Sequence, residues 1–191
     1  YLLRFFNYIN PMLDQELERL KYPIGKFECP STITEASIDA WLSILKHFPN
    51  RLEQLVVNLS DKQLDTPYRL GGWTIRQVIH HIADSHHHSY IRFKWAMTED
   101  NPVIKAYDEN TWASQHDYNQ PIALSLLHIK VVHAKLVYYL KGLTAEQFQR
   151  TFIHPENNQM IALDKNLGNY AWHSNHHYAH IECVLKSKGW I

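Results

Sequence analysis

Four histidines lie within eight positions near the carboxyl end of the chain, in the stretch YAWHSNHHYAHIEC (170–183). They are His173, His176, His177 and His180. On a helix, residues three or four positions apart share one side, so two such imidazoles can bind the same metal ion. Buried helices also carry this spacing when their histidines only hydrogen-bond to neighbouring hydroxyls. This segment alone therefore leaves a metal site and a structural histidine pair open.

Helical rotation of about 100° per residue separates these four side chains. His177 lies near the centre of the apolar stripe, His173 roughly 40° to one side of it, and His176 about 100° away toward the flank. The inward pair is therefore His173 and His177. His180, roughly 60° from the centre, is a candidate for the partner that fixes the tautomer of a ligand histidine. The stripe itself consists of Leu167, Tyr170, Ser174, His177, Ile181 and Val184.

A second group of histidines, HHIADSHHH (80–88), lies on another predicted helix. Two protein ligands hold a metal poorly, whereas three ligands with an open position make a catalytic site. With Ile82 at the centre of the apolar face, His81 lies on one flank and His80 nearer the opposite side. His86 falls on the apolar face itself. Periodicity does not choose among these three histidines.

The elements that must position these histidines are four amphipathic helices, each with apolar residues at alternating spacings of three and four. Pro49 predicts a kink in the first helix, and Thr74 with Gln77 predicts a capping box at the start of the second. Asp164 is expected to cap the fourth. The predicted helices span residues 34–59, 74–98, 122–140 and 165–187. The third is expected to turn inward Leu124, Leu127, Val131, Ala134 and Tyr138.

Long, dissimilar connections join these helices. A helical turn is expected at Glu109–Ala113 within the connection 101–121, and TFIHPENNQMIAL (151–163) predicts two short strands joined by a polar loop. The sequence therefore predicts an all-α four-helix bundle with a small β-hairpin before the last helix. A chain of 191 residues with 45% hydrophobic content fits a single domain over residues 1–191.

Composition argues against several classes of partner and location. The chain has 19 basic and 19 acidic residues, which argues against a general affinity for nucleic acid or an anionic membrane. No apolar run reaches the ~18 residues of a membrane span. The distant cysteines Cys29 and Cys183 form no CxxC pair, which favours a reducing cytoplasm. The start YLLRFFNYINP lacks the basic region of a signal peptide, and Met12 is a natural initiator, which suggests that residues 1–11 are an extension.

The segment GGWTIRQVIHHIADSHHHSYIRF (71–93), followed much later by YAWHSNHHYAHI, resembles the DinB-like superfamily, and within it the YfiT-type branch. The stretches YPIGKF (22–27), DTPYRLGGW (65–73) and YDENTWA (107–113) resemble the same branch. The resemblance covers about residues 22–190, which leaves residues 1–21 as an N-terminal extension.

This resemblance implies a four-helix bundle that carries one divalent metal on three histidines. One of them follows the tryptophan of the second helix by eight positions, which from Trp73 gives His81. The other two are the HxxxH pair of the last helix, which matches His173 and His177. Zinc is the first expectation for the metal and nickel the second, since imidazole also suits nickel, copper and iron(II). A homodimer is implied as well.

The resemblance also implies activity, because its members are metal-dependent hydrolases or low-molecular-weight-thiol S-transferases, with a bacillithiol transferase as the nearest comparison. We expect a small-molecule substrate, with a thiol activated for transfer to an electrophile. The first alternative is hydrolysis by metal-bound hydroxide, and the second is a metal-binding bundle without catalysis.

No strong general base stands out in the sequence. Three carboxylates are expected to be surface groups, and three aromatic residues could line a pocket, although packing is their more frequent role. The carboxylates are Asp84, Asp164 and Glu182, and the aromatic residues are His86, Tyr90 and Trp172.

Overall fold

The computed structural model describes residues 11–191, and side chains from residue 15 onward. The predicted extension at residues 1–11 falls almost wholly outside the described residues, as does the proposed absence of a signal peptide. The helices are α1 (Pro11–Lys21), α2 (Glu35–Val56), α3 (Asp61–Leu64), α4 (Ile75–Thr98), α5 (Glu109–Ala113), α6 (Ile122–Lys141), α7 (Ala145–Phe148) and α8 (Leu163–Ser187). The strands are β1 (Thr151–His154) and β2 (Gln159–Ala162), and a short 3₁₀ helix covers His116–Asn119.

The four long helices pack as a bundle in which α2 lies diagonally opposite α4, and α6 diagonally opposite α8. Helix α2 contacts α6 and α8, and α4 contacts the same two helices. The hairpin β1–β2 is antiparallel, with Thr151 opposite Ala162, and it directly precedes α8. The predicted four-helix bundle with a small hairpin before the last helix is therefore confirmed.

Capping residues account for several helix starts. Thr74 and Gln77 form the predicted capping box of α4, and Thr34 caps α2. Pro49 lies inside α2, which continues through it to Val56. The predicted cap at Asp164 is wrong, because α8 begins at Leu163 and Asp164 lies inside its first turn. The carboxylate of Asp164 is buried and accepts a hydrogen bond of 2.8 Å from the Gln149 side chain.

The inward face predicted for α6 is wrong. The whole predicted stripe is exposed; Tyr138, for example, is 86% exposed, while Ile129 and Leu136 are fully buried. Apolar residues occupy both faces of this helix, so the 3,4 spacing fits either one. Two polar residues, Ser125 and His133, decide the phase, because both are buried and hydrogen-bonded to neighbouring elements.

Helix α6 is also long and apolar enough to cross a membrane by length and composition alone. That is weak evidence, because the core helix of a bundle passes the same test. Ile129, Leu136 and Leu140 are fully buried, and α6 packs against α2 and α4. One face of α6 therefore belongs to the core of the bundle, whereas its other apolar face is exposed.

A layer of histidines separates two apolar clusters of the core. On α4, His86 lies between Ala83 of one cluster and Phe93 of the other. On α6, His133 lies between Ile129 and Leu136, which belong to different clusters in the same way. The imidazoles of His86 and His133 therefore interrupt the apolar stripes of α4 and α6 between the two clusters.

Candidate metal centre

Helices α4 and α8 bring three predicted histidines together. His81 comes from α4, and His173 and His177 from consecutive turns of α8; their ring nitrogens lie within 4.8 Å of one another. These three residues are called the histidine cluster below. Nε2 of His81 lies 3.3 Å from Nε2 of His173. A tetrahedral ion with metal–nitrogen bonds of about 2.0–2.1 Å separates its ligand nitrogens by about 3.3–3.4 Å, so the spacing of this pair fits one ion.

A hydrogen-bond chain orients His177. Nε2 of His180 lies 3.0 Å from the carbonyl oxygen of Lys21, which can only accept, so Nε2 carries the proton. Nδ1 of the neutral His180 ring then accepts from Nδ1 of His177 at 3.3 Å. Nε2 of His177 keeps its lone pair for a ligand. His180 thus lies where a partner that fixes the His177 tautomer was expected.

His81 has no such chain. Its Nδ1 is buried and has no hydrogen-bond partner among the described residues. The indole of Trp73 packs on the ring with a centroid distance of 4.6 Å. A buried ring nitrogen without a hydrogen-bond partner destabilises the folded state, and the apolar face of the indole offers it no hydrogen bond. Packing therefore holds this ring in place, with Nε2 facing His173 and Nδ1 on the side away from it.

Burial keeps the histidine cluster neutral. Loss of hydration lowers the pKa of His81 to about 4 and holds those of His173 and His177 well below the ordinary value. Repulsion among the neighbouring imidazoles acts in the same direction. Because only a neutral imidazole offers a lone pair, all three rings are ready to coordinate a metal at neutral pH.

The cluster forms one wall of a cavity of about 600 Å³. Among the described residues that line it, Lys21, Arg69 and Arg92 are cationic, and Glu109 is the one carboxylate. The cavity wall therefore combines nitrogen ligands with more positive than negative side chains. Its other lining residues include Tyr22, Tyr68, Trp73, Ser85, Asn169, Tyr170, Trp172, His176 and His180.

The remaining predicted site residues fall in different places. Trp172 lines the cavity, stacks on His176 at 4.4 Å and donates a hydrogen bond to the carbonyl of Gly25. Tyr90 packs against the apolar core instead of lining the cavity. His86 is fully buried behind the cluster, where its Nε2 lies 3.0 Å from Nδ1 of His173.

Two histidines that the helical wheel placed off the core are buried. His176 is only 7% exposed, because Tyr22 and Trp172 cover it, yet it does not belong to the histidine cluster. His80 is 2% exposed and bonds to Ser125 Oγ and to the carbonyl of Gln120. Rotation about one helix cannot show what neighbouring segments cover.

Two of the three carboxylates differ from the surface role expected for them: Asp164, described above, and Asp84. Asp84 is half-buried and accepts a hydrogen bond of 2.6 Å from the Tyr118 hydroxyl, and burial raises its pKa. Glu182 pairs with Lys186 at 2.9 Å on the surface, as expected. None of the three lines the cavity.

Three groups that contribute to the site were not predicted from the sequence. The carbonyl of Lys21 belongs to α1, outside the resemblance, and a main-chain acceptor leaves no mark in the sequence. His133 was hidden by the wrong phase of α6, although a lone imidazole among apolar residues was the available signal. Arg92 lies on the cavity two turns beyond Ser85, and nothing distinguished it from a surface arginine.

Comparison with known proteins assigns the family. The family model described as the DinB superfamily matches residues 44–181. The chain belongs to the DinB superfamily. This confirms the family expected from the sequence motifs.

Individual relatives of this DinB-superfamily chain point to the same broad activity. A protein of Oceanobacillus iheyensis is 49% identical over 89% of this chain and 98% of its own length, and one of Bacillus mycoides is 46% identical over 91% and 100%. Both are provisionally named metal-dependent hydrolases. The solved structure of YfiT from Bacillus subtilis is 44% identical, with a TM-score of 0.88 over 91% of this chain and 99% of that one. It is described as a probable metal-dependent hydrolase with an unusual four-helix bundle topology.

Proposed function

We propose that this protein is a metal-dependent enzyme in which His81, His173 and His177 hold one divalent ion and activate a small thiol for transfer to an electrophile. One observation carries the proposal: three neutral imidazoles converge on one side of a cavity of about 600 Å³. Three protein ligands leave a coordination position for a substrate, which a closed four-ligand structural site does not. Zinc is the proposed ion, with nickel second.

A bound divalent ion would supply the charge that favours the deprotonated form of a coordinated thiol or water. In the proposed reaction the thiol proton leaves to solvent, and the sulfur forms a bond to an electrophilic carbon. The bond from that carbon to its leaving group, such as a halide, breaks, and the leaving group departs with the electron pair. The polar and cationic side chains of the cavity wall would orient the reactants.

The cavity favours a thiol over water as the nucleophile. Glu109, the one carboxylate among the described lining residues, is exposed on α5. No buried carboxylate in the described lining is placed to accept a proton. A thiol with an ordinary pKa of about 8.5 needs a far smaller shift to ionise near neutral pH than water with a pKa of about 15.7. Hydrolysis is the alternative, since the relatives' names point to it.

The cationic side chains favour a thiol that also carries an anionic group. Nε of Arg92 is buried without a hydrogen-bond partner among the described residues, and its Nη1 lies 3.4 Å from the Tyr170 hydroxyl. The Arg92 guanidinium lines the cavity, and its planar fork of donors matches a carboxylate. Arg92→Gln should therefore raise KM for mercaptoacetate several-fold and leave KM for uncharged mercaptoethanol nearly unchanged.

The test combines two substrate arms on zinc- or nickel-loaded protein. One arm supplies mercaptoacetate or mercaptoethanol with an alkyl halide, and thioether formation is followed by mass spectrometry. The other arm supplies ester and amide substrates. Thioether formation that disappears in His177→Ala supports the proposal, and ester or amide cleavage without thiol transfer supports the hydrolase. Failure of both arms in fully metallated protein favours a binding or structural role.

The expected homodimer and cytoplasmic location remain predictions. The exposed apolar stripe of α6, which includes Leu127 and Val131, offers a surface that a second copy could cover. Sedimentation velocity on the wild type and on Leu127→Glu tests the dimer.

A further inference from the structure

A chain of three imidazoles runs from the histidine cluster through the centre of the bundle to the main chain of α2. Nδ1 of His173 lies 3.0 Å from Nε2 of His86, and Nδ1 of His86 lies 2.8 Å from Nε2 of His133. Nδ1 of His133 lies 2.7 Å from the carbonyl oxygen of Leu45. The chain therefore links α8, α4, α6 and α2, which are all four long helices.

The Leu45 carbonyl, at the inner end of this hydrogen-bond chain, determines which ring nitrogen of each of the three histidines carries the proton. The Leu45 carbonyl can only accept, so His133 carries its proton on Nδ1 and offers the lone pair of Nε2. His86 must then donate from Nδ1 to His133, which leaves Nε2 of His86 as an acceptor. His173 donates from Nδ1 to His86. The lone pair of His173 therefore lies on Nε2, the atom 3.3 Å from Nε2 of His81.

We propose that His86 and His133 are positioning residues that fix the tautomer and ring orientation of His173 for metal binding. This inference rests on the proposed metal site. A metal-bound histidine usually donates its other N–H to a carboxylate, carbonyl or water, which fixes its tautomer and raises its basicity. Here two further imidazoles carry that role to a carbonyl on another helix.

Packing holds the chain in one geometry. His86 is fully buried and His133 is 2% exposed, so both rings are shielded from bulk water. The two rings stack with centroids 4.8 Å apart, and the Phe48 ring stacks on both, at 5.9 Å from His86 and 5.4 Å from His133. A ring flip in one member would leave a buried donor facing a donor. The arrangement is thus fixed by sterics as well as by hydrogen bonding.

If His86 and His133 only stabilised the fold, their loss would not change metal binding by the folded protein. Three substitutions distinguish that role from the positioning role. His133→Leu keeps an apolar side chain of moderate size but removes both the acceptor and the donor. His133→Gln keeps one acceptor and one donor on a flexible side chain. His128→Leu is the matched control, because His87 and His128 join the same two helices at 2.9 Å without touching the histidine cluster.

Zinc dissociation constants, measured by competition with a chromogenic chelator, are the first readout. Removal of such a supporting partner typically weakens metal binding about 10–100-fold, which is the loss expected for His133→Leu. His133→Gln should recover most of that loss, and His128→Leu should match the wild type. Circular dichroism and thermal melting of the metal-free proteins establish that each variant is folded.

Nitrogen-15 NMR of the histidine rings in the metal-free protein is the second readout. The chain predicts a single His173 tautomer with the proton on Nδ1, and a mixture of tautomers in His133→Leu. An unchanged zinc dissociation constant in folded His133→Leu, or a His173 proton on Nε2 in the wild type, would overturn the inference. If the wild type binds no zinc while His173 keeps the predicted tautomer, the proposed metal site fails and the hydrogen-bond chain stands.

Discussion

His173 and His177 lie one turn apart on α8, yet they are anchored in opposite directions. His173 is tied through His86 and His133 to the Leu45 carbonyl, inside the bundle. His177 is tied through His180 to the Lys21 carbonyl, at the end of α1 beside the cavity. Both chains end on a carbonyl and both leave Nε2 with its lone pair. The inner anchor depends on the packing of four helices, and the outer anchor on one segment that covers the cavity.

The third member of the cluster shows what happens without an anchor. His81 has Trp73 on its face and a buried Nδ1 with no partner among the described residues. The pair on α8 is therefore preorganised by hydrogen bonds, whereas His81 is held by packing.

The largest effect should follow loss of a ring from the cluster itself. His173→Ala, His177→Ala and His81→Ala should each lower metal content of the purified protein to near zero, because two protein ligands hold a metal poorly. Metal is measured by inductively coupled plasma mass spectrometry after dialysis. Full occupancy in any of the three variants would contradict the assigned ligand set.

Acidification should weaken both anchors, since both consist of neutral buried rings. Burial lowers the pKa of His133 and of His180 to about 4, against an ordinary value of 6.5. The unfolded chain therefore binds more protons than the folded chain as pH falls from about 6.5 to about 4, and stability is lost over that range. For His133 alone the loss is on the order of 3 kcal/mol.

This prediction is checked by urea denaturation of the metal-free protein at several pH values. His133→Leu and His180→Leu should each show a shallower fall in unfolding free energy with acid than the wild type. His128→Leu provides the comparison for a half-buried histidine outside both anchors, whose pKa burial also lowers. Equal slopes in all four proteins would mean that the anchors do not titrate on unfolding as described.

A smaller effect separates the two anchors. His180→Leu should weaken zinc binding about three- to tenfold, which is less than the loss of about 10–100-fold expected for His133→Leu. The reason is access: water from the cavity can reach Nδ1 of His177 and replace His180, whereas the fully buried His86 is shielded from bulk water. A greater loss for His180→Leu than for His133→Leu, measured by the same chelator competition, would reverse this comparison.

The smallest effect is expected at His176, which neighbours His177 but belongs to neither anchor. Its ring is covered by Tyr22 and Trp172 and lies outside the cluster. His176→Ala should leave metal content within about twofold of the wild type, because no ligand nitrogen is lost. Loss of metal in His176→Ala together with its retention in His177→Ala would show that the ligand phase of α8 is wrong.

Much of the architecture could be read from the sequence because local signals agree with the fold. The start of α4 at its Thr74 capping box and the turn at Glu109–Ala113 were predicted residue by residue. Helix α6 was not, because both of its faces are apolar and spacing cannot distinguish the buried one. The short helices α3 and α7 were missed since one helical turn leaves too few residues for a periodic pattern.

The sequence by itself determined the candidate cluster. The HxxxH spacing fits both His173/His177 and His176/His180, and the apolar stripe of the helix selects the first pair. The family motif adds His81. Only the tertiary structure decided how these rings are held. The carbonyls of Leu45 and Lys21 and the imidazole of His133 come from three other helices. These groups meet the cluster only because the helices pack together. A hydrogen bond between segments that are distant in the sequence follows no regular residue spacing, so the sequence alone does not reveal it.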